Sequence, residues 1–191
     1  MMGLFFGSFN PVHNGHLAIA RYLLEKGFCR EVWFVVSPQN PLKQNAGLLD
    51  ENKRLEILRK AIAGEPGMEV CDAEFRLPRP SYTWNTLQVL KKEYPEKSFA
   101  LVIGGDNLCN FHLWRNYKEI LNHYRIFVYP RPGVEVPGTI PEGVTLVDAP
   151  LAAVSSTEIR AKIGAGEDIS ANVPAKAYPL IMKYYSSAGK T

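Results

Sequence analysis

The sequence predicts an α/β fold: a Rossmann-like, doubly wound parallel sheet with helices on both faces, built as a single domain. Three observations lead there. Short runs rich in Val, Ile and Phe alternate with stretches of helical period, the order expected of βαβ units. Hydrophobic residues make up 46% and charged residues 21%, enough apolar material for a sizeable core. A length of 191 residues, against roughly 150 per domain, gives one domain.

The elements follow in order. Residues 3–7 form the first strand, and the helix after it, 15–26, sets Leu17, Ala20 and Leu24 on one face. The second strand is 31–37; the next helix, 51–63, carries Leu55, Leu58 and Ile62 behind an Asp50 cap. Strand 68–72 precedes helix 84–93, which uses Leu87 and Leu90 and stops before Pro95. Strands 98–104, 124–129 and 144–147 complete the sheet, the last two separated by a surface loop, 130–143, that its prolines and glycines keep irregular. Ser155-Ser156-Thr157-Glu158-Ile159-Arg160 opens a helix. Pro174 suits the first turn of another, which Pro179 must kink or restart. This C-terminal helical part, about 155–187, is expected to pack on the same domain, so that one unit spans 1–191.

Composition excludes several classes of function. The 22 Lys and Arg against 19 Asp and Glu leave +3, and the basic residues are scattered, which gives no footprint for nucleic acid. No apolar stretch approaches the roughly 20 residues of a spanning helix, and no basic region precedes Leu4-Phe5-Phe6, so the expectation is a cytoplasmic protein without a membrane partner. Cys29, Cys71 and Cys109 are odd in number and lack CxxC spacing, and read as reduced, mostly buried thiols. The sequence leaves a homo-oligomer open.

In an open parallel sheet ligands bind beyond the carboxyl ends of the strands. The loop after the first strand reads Gly7-Ser8-Phe9-Asn10-Pro11-Val12-His13-Asn14-Gly15-His16. Gly7 permits close approach to the backbone, Ser8 adds a hydroxyl and an amide, and the helix start after Asn14 offers free N–H groups to an anion. His13 and His16, three apart at that helix mouth, can both donate to one phosphate. A helical zinc site wants histidines four apart with a glutamate between, and no ligand set stands near, so no protein-held metal is expected. The P-loop and GxGxxG patterns are missing, which argues against an oxidoreductase using a nicotinamide cofactor.

These residues resemble a known family. The GSFNPVHNGH segment is similar to the HxGH signature of the nucleotidyltransferase superfamily, and SSTEIR at 155–160 to its second signature. Three further segments resemble the bacterial nicotinate-mononucleotide adenylyltransferases: Ser37-Pro38-Gln39-Asn40-Pro41-Leu42-Lys43, Pro80-Ser81-Tyr82-Thr83-Trp84-Asn85-Thr86-Leu87, and Gly104-Gly105-Asp106-Asn107-Leu108 followed by Phe111-His112 and Trp114. They stand in the right order over nearly the whole chain.

The resemblance implies transfer of the adenylyl group of ATP to nicotinate mononucleotide, giving nicotinate adenine dinucleotide and pyrophosphate in NAD biosynthesis. It makes His13 and His16 the catalytic contacts to the ATP phosphates, with His16 the main stabiliser, and has Gly7, Ser8, Phe9 and Gly104 line the nucleotide. Ser156, Thr157 and Arg160 hold the β- and γ-phosphates, as suits amides at a helix start and an inward guanidinium. For the acceptor, Lys43 supplies a point charge to the phosphate with help from Asn40, Thr83 and the backbone at Tyr82 donate to the nicotinate carboxylate, and Trp114 offers a stacking face. Asp106 accepts from ribose or organises Mg2+ through water, the ion arriving with the ATP phosphates. Asn10 and Asn85 stand where the family often has aspartate, and Leu42 where it often has histidine. Two rivals share much of this pattern: adenylyltransferases acting on nicotinamide mononucleotide or on phosphopantetheine, and a nucleotide-binding module without turnover. Phosphopantetheine enzymes usually carry threonine at the position of His13 and lack the GGDN segment.

Overall fold

The computed structural model describes residues 1–39, 47–136 and 138–186. Its six strands are β1 (Met2–Gly7), β2 (Glu31–Val36), β3 (Met68–Cys71), β4 (Phe99–Gly104), β5 (Arg125–Tyr129) and β6 (Val144–Leu146). They form one all-parallel sheet in the order β3-β2-β1-β4-β5-β6, so the predicted doubly wound sheet is present. The helices are α1 (Asn14–Glu25), α2 (Glu51–Ala61), α3 (Thr83–Glu93), α4 (Gly105–Cys109), α5 (Tyr117–His123), α6 (Ser156–Gly164) and α7 (Tyr178–Tyr185). Sequence reasoning found every strand to within two residues. It left α4 and α5 unassigned because such short helices carry too few turns for a periodic signal.

Both faces of the sheet are buried, which is why its strands read as continuous apolar runs. Alternation divides them: Phe5, Phe34, Val102 and Phe127 face α1, α2, α6 and α7, whereas Leu4, Val35, Leu101 and Val128 face α3, α4 and α5. On the first face Ile159, Ile169, Val173 and Ile181 join the same core as Leu17 and Leu58, so the C-terminal helices pack on the sheet. Pro174 precedes α7 rather than starting it. Its carbonyl accepts from the amides of Ala177 and Tyr178, and Pro179 occupies the first turn, where a missing N–H costs nothing. All three cysteines are free; Cys29 and Cys71 are buried, and burial lifts each thiol to about 11.

The loops after β1 and β2 are tied by a residue that sequence reasoning passed over. Arg54, on α2, has no exposed surface. Its Nη1 donates to the carbonyls of Ser8 (2.6 Å) and Ser37 (2.9 Å), its Nε to Leu49 (2.7 Å), and its Nη2 to Pro38 (3.3 Å). The guanidinium thus satisfies four carbonyls that no strand or helix pairs. Burial lowers its pKa from the ordinary arginine value, with the carboxylates of Glu51 and Asp50 opposing the shift. Arg54→Met should lower the unfolding free energy by about 3–5 kcal/mol, because it strands those carbonyls out of water. Arg59→Met, which removes an exposed arginine paired with Asp72, should cost under about 1 kcal/mol. Denaturant midpoints of the two variants measure the contrast.

Candidate active site

The chain order reverses between β1 and β4. Helix α1 after β1 packs on one face and α4 after β4 on the other, which opens a crevice beyond Gly7 and Gly104. Gly7 serves its own chain there, since a Cβ would come within 2.9 Å of the Phe9 ring. Phe9, at φ 45°, turns that ring into the core against Phe5 and Phe34 and backs the His16 ring at 5.1 Å. The Ser8 carbonyl is held by Arg54.

His13 caps α1 and His16 is its third residue. Their rings lie 3.7 Å apart, tilted by 32°. The His13 backbone N–H donates to His16 Nδ1 at 3.2 Å. An accepting Nδ1 puts the proton of a neutral ring on Nε2, so His16 keeps one N–H donor for a ligand. His13 Nδ1 is buried with no protein partner among the described residues. The glycine between the histidines is required by packing: a Cβ on Gly15 would fall 2.6 Å from Ala152 Cβ and 3.0 Å from His13 Nδ1.

Burial pulls His13 down to about 4, helped by the charge of Arg131 and opposed by Glu158. His16 is held well below its ordinary 6.5 by burial, then by His13 and Arg131. At neutral pH the pair therefore acts as neutral donors. The permanent positive charge comes from Arg131, which lies just after β5 with its Nε 3.4 Å from Asp106 Oδ1. Neither of those two buried atoms has a hydrogen-bond partner among the described residues. Gly104 makes the pairing possible, because a Cβ there would collide with the Asp106 carboxylate and approach Arg131 Nε to 2.9 Å. Asp106 sits in the first turn of α4, behind Gly104 as the cap.

The second signature closes the same end of the sheet. Ser155 caps α6 and forms a capping box with Glu158, the Ser155 N–H donating to Glu158 Oε2 at 2.6 Å. The Ser156 hydroxyl donates to the Pro11 carbonyl at 2.9 Å, and Arg160 Nη1 to the Asn10 carbonyl at 2.7 Å. Arg160 Nη2 reaches Thr157 Oγ1 at 3.4 Å. These side chains tie the start of α6 to the first loop and bring its amides to the histidines. Arg160 thus turns inward, to a backbone carbonyl rather than to Glu158 or Glu167.

Beside this constellation lies a cleft of about 390 Å³, lined among others by Tyr82, Thr83, Asp106, Asn107 and Trp114. The acceptor residues read from the sequence meet here, apart from Asn40 and Lys43, which lie outside the described residues. Tyr82 caps α3 and Thr83 is its first residue, so the first amides of that helix have no intrahelical acceptor. Trp114 packs against Phe111 with centroids 5.0 Å apart and also lines the cleft, so it both packs and presents a face. Glu74, 2% exposed, accepts from Ser81 Oγ (2.7 Å) and Thr86 Oγ1 (3.0 Å) and fixes the segment before α3. Burial raises its pKa. Sequence reasoning missed Glu74 and Arg115 of the cleft, and Arg131 beside the histidines; for Arg131 the signal was a cation directly beyond a strand's carboxyl end. Among the described residues no group of three or more His, Cys, Asp or Glu could hold a metal ion, and no helix is long and apolar enough to cross a membrane.

The fold and this site define a nucleotidyltransferase, and residues 4–162 match the cytidylyltransferase-like family. A Bacteroides fragilis protein named "Probable nicotinate-nucleotide adenylyltransferase" is 48% identical over 168 residues, covering 87% of this chain and 84% of its own. One of the same name from Cytophaga hutchinsonii is 46% identical over 189 residues, covering 97% and 98%. The chain belongs to the nicotinate-nucleotide adenylyltransferase family within that larger class. A solved Plasmodium falciparum nicotinic acid mononucleotide adenylyltransferase, complexed with NaAD, shares the fold at a TM-score of 0.78 and 17% identity, covering 99% of this chain and 96% of its own.

The depressed histidines make stability depend on pH. An unfolded His titrates near 6.5 and folded His13 near 4, so between these values the unfolded chain binds more protons and stability falls as the pH falls. From pH 7 to 5.5, His13 alone should remove about 1 kcal/mol. Unfolding midpoints of wild type and His13→Gln across that range check it, the variant having the flatter dependence.

Proposed function

We propose that the chain transfers the adenylyl group of ATP to the phosphate of nicotinate mononucleotide, releasing pyrophosphate and forming nicotinate adenine dinucleotide in NAD biosynthesis. The observation that carries this reading is the meeting of two features at one switch point. A paired-histidine helix start, with Arg131 beside it, abuts a cleft lined by Tyr82, Thr83, Asp106 and Trp114. The names of the relatives support the same substrates.

An oxygen of the acceptor phosphate forms the new bond to the α-phosphorus, and the bond from that phosphorus to the bridging oxygen of the β-phosphate breaks. No protein group becomes covalently attached, so the chain's task is alignment and charge stabilisation. His16 Nε2–H donates to the α-phosphate oxygen that gains charge, with His13 stacked beside it. Arg131 adds a full positive charge. The amides at the start of α6, around Ser156 and Thr157, together with the N–H groups of Arg160 that the Asn10 carbonyl leaves free, take the β- and γ-phosphates. The backbone of Gly7, Ser8 and Gly104 borders the nucleoside at the strand ends, the two glycines leaving space there for the Phe9 ring and the Asp106–Arg131 pair, and Trp114 stacks on the acceptor ring.

A Mg2+ ion carried by the ATP phosphates would supply neutralisation of part of their charge. The residue suited to meet its water shell would be Asp106, whose buried Oδ1 faces Arg131 Nε and has no hydrogen-bond partner among the described residues. Lys43 and Asn40 belong to the acceptor phosphate in this reading. The reaction belongs in the cytoplasm, where ATP and the mononucleotide are supplied.

The test is pyrophosphate release from ATP and Mg2+ with nicotinate mononucleotide, nicotinamide mononucleotide or phosphopantetheine. Nicotinate mononucleotide should be the preferred acceptor; release with none of them overturns the reading. His16→Ala should lower kcat by roughly 100- to 1000-fold without unfolding the chain. Trp114→Ala should raise the KM of the acceptor and leave that of ATP nearly unchanged, and steady-state kinetics with each substrate varied in turn separates the two.

A further inference from the structure

We infer that Arg115 determines acceptor specificity, by admitting an acceptor whose ring carries a carboxylate and opposing one whose ring carries a neutral amide. The inference rests on the proposed function and deepens it. Among the described residues lining the cleft, Arg115 is the one cation, whereas Glu74 and Asp106 are both acidic. Asp106 already faces Arg131, which leaves the acceptor side of the cleft with a buried carboxyl group and one guanidinium.

Local backbone fixes where that guanidinium goes. Trp114 is extended after a short 3-10 turn, Phe111–Leu113, and Asn116 adopts the left-handed region at φ 57°, so the chain reverses around Arg115 before α5 begins. The Tyr117 amide closes the reversal on the Trp114 carbonyl at 3.2 Å. The Arg115 side chain then lies over the Tyr82 ring, 5.1 Å from its centroid, at the start of α3. No carboxylate pairs with it among the described residues. Tyr82 is the cap of α3, so the guanidinium lies over the residue that opens a helix whose first amides have no intrahelical acceptor.

The charge of the ligand sets the direction of discrimination. A nicotinate ring in a mononucleotide is a pyridinium bearing a carboxylate, neutral as a whole, with its negative end free for a guanidinium. The nicotinamide ring is a pyridinium bearing an amide and is net positive. Arg115 attracts the first and repels the second, so both terms favour the same acceptor.

The experiment compares kcat/KM for nicotinate and nicotinamide mononucleotides in wild type, Arg115→Gln and Arg115→Lys at low ionic strength. Arg115→Gln should lower the ratio of the two at least about tenfold, the scale of one charge-assisted hydrogen bond. The KM for ATP and the unfolding midpoint should stay unchanged, and Arg115→Lys should recover much of the ratio. Added salt should shrink the wild-type ratio and leave that of Arg115→Gln unaltered. An unchanged ratio in Arg115→Gln overturns the role of Arg115 and leaves the proposed function standing. Failure of wild type to use nicotinate mononucleotide overturns both.

Discussion

The whole site depends on one buried cation. Among the described residues Arg54 donates to no carboxylate; its N–H groups are taken up by the oxygens of four carbonyls drawn from the ends of two strands and the loop before its own helix. Loops that leave the carboxyl ends of parallel strands diverge, and their carbonyls have no ladder partner. A single planar fork with five donors can gather them without a hydrogen-bonded protein anion that would repel a phosphate ligand nearby. With the Ser8 carbonyl so fixed, Phe9 is set at positive φ, its ring is driven into the core, and His16 is supported from behind. Asn10 extends the framework: its Oδ1 accepts from Tyr185 OH (2.6 Å) and the Leu49 amide (3.1 Å), and its backbone carbonyl accepts from Arg160. The first loop is thus held from α2, α6 and α7 at once.

Much of this was legible in the sequence because it follows from local chemistry. The strands were visible as apolar runs, since both faces of the sheet are covered. The phosphate end of the site was visible as a strand followed by a polar, histidine-bearing helix start. The capping role of Ser155 and Glu158 follows from spacing alone. What stayed hidden depends on partners distant in the chain. Arg54 falls on an otherwise amphipathic helix, where an arginine reads as part of the polar face; its partners Ser8 and Ser37 are 46 and 17 positions away. Glu74 reads as a surface acid until Ser81 and Thr86 fold over it. Arg131 sits in a stretch dominated by proline and glycine, where only the sheet order reveals that it faces the histidines.

The glycine of the HxGH segment shows how a motif is explained only in three dimensions. From sequence, a glycine near phosphates suggests room for a ligand. Here Gly15 makes room for Ala152, in the loop leading into α6, and for the neighbouring imidazole. That close approach brings the second signature against the first. The two signatures are 145 positions apart at the bond between Ser156 and Pro11, and a single methyl group would push them apart. The motif therefore encodes a joint between two segments as much as a ligand contact.

The electrostatic design follows from the task of bringing two phosphates together. Two unit charges 4 Å apart repel by about 4 kcal/mol at an effective dielectric of 20, so the site needs positive potential where they meet. Stacked, buried imidazolium ions would be costly before any ligand arrived. Burial and Arg131 keep the imidazoles neutral instead, and the fixed charge is carried by an arginine partly balanced by Asp106. An arriving phosphate changes this balance, because a nearby anion raises a histidine pKa and strengthens the hydrogen bond it receives. The phosphate end of the site thus holds little uncompensated charge, and its positive character grows as substrate charge enters. The same logic explains why the cations stand at the edges, with Arg131 beyond β5 and Arg115 at the rim of the acceptor cleft. At those positions water offsets part of their desolvation while the field still reaches the reacting centre.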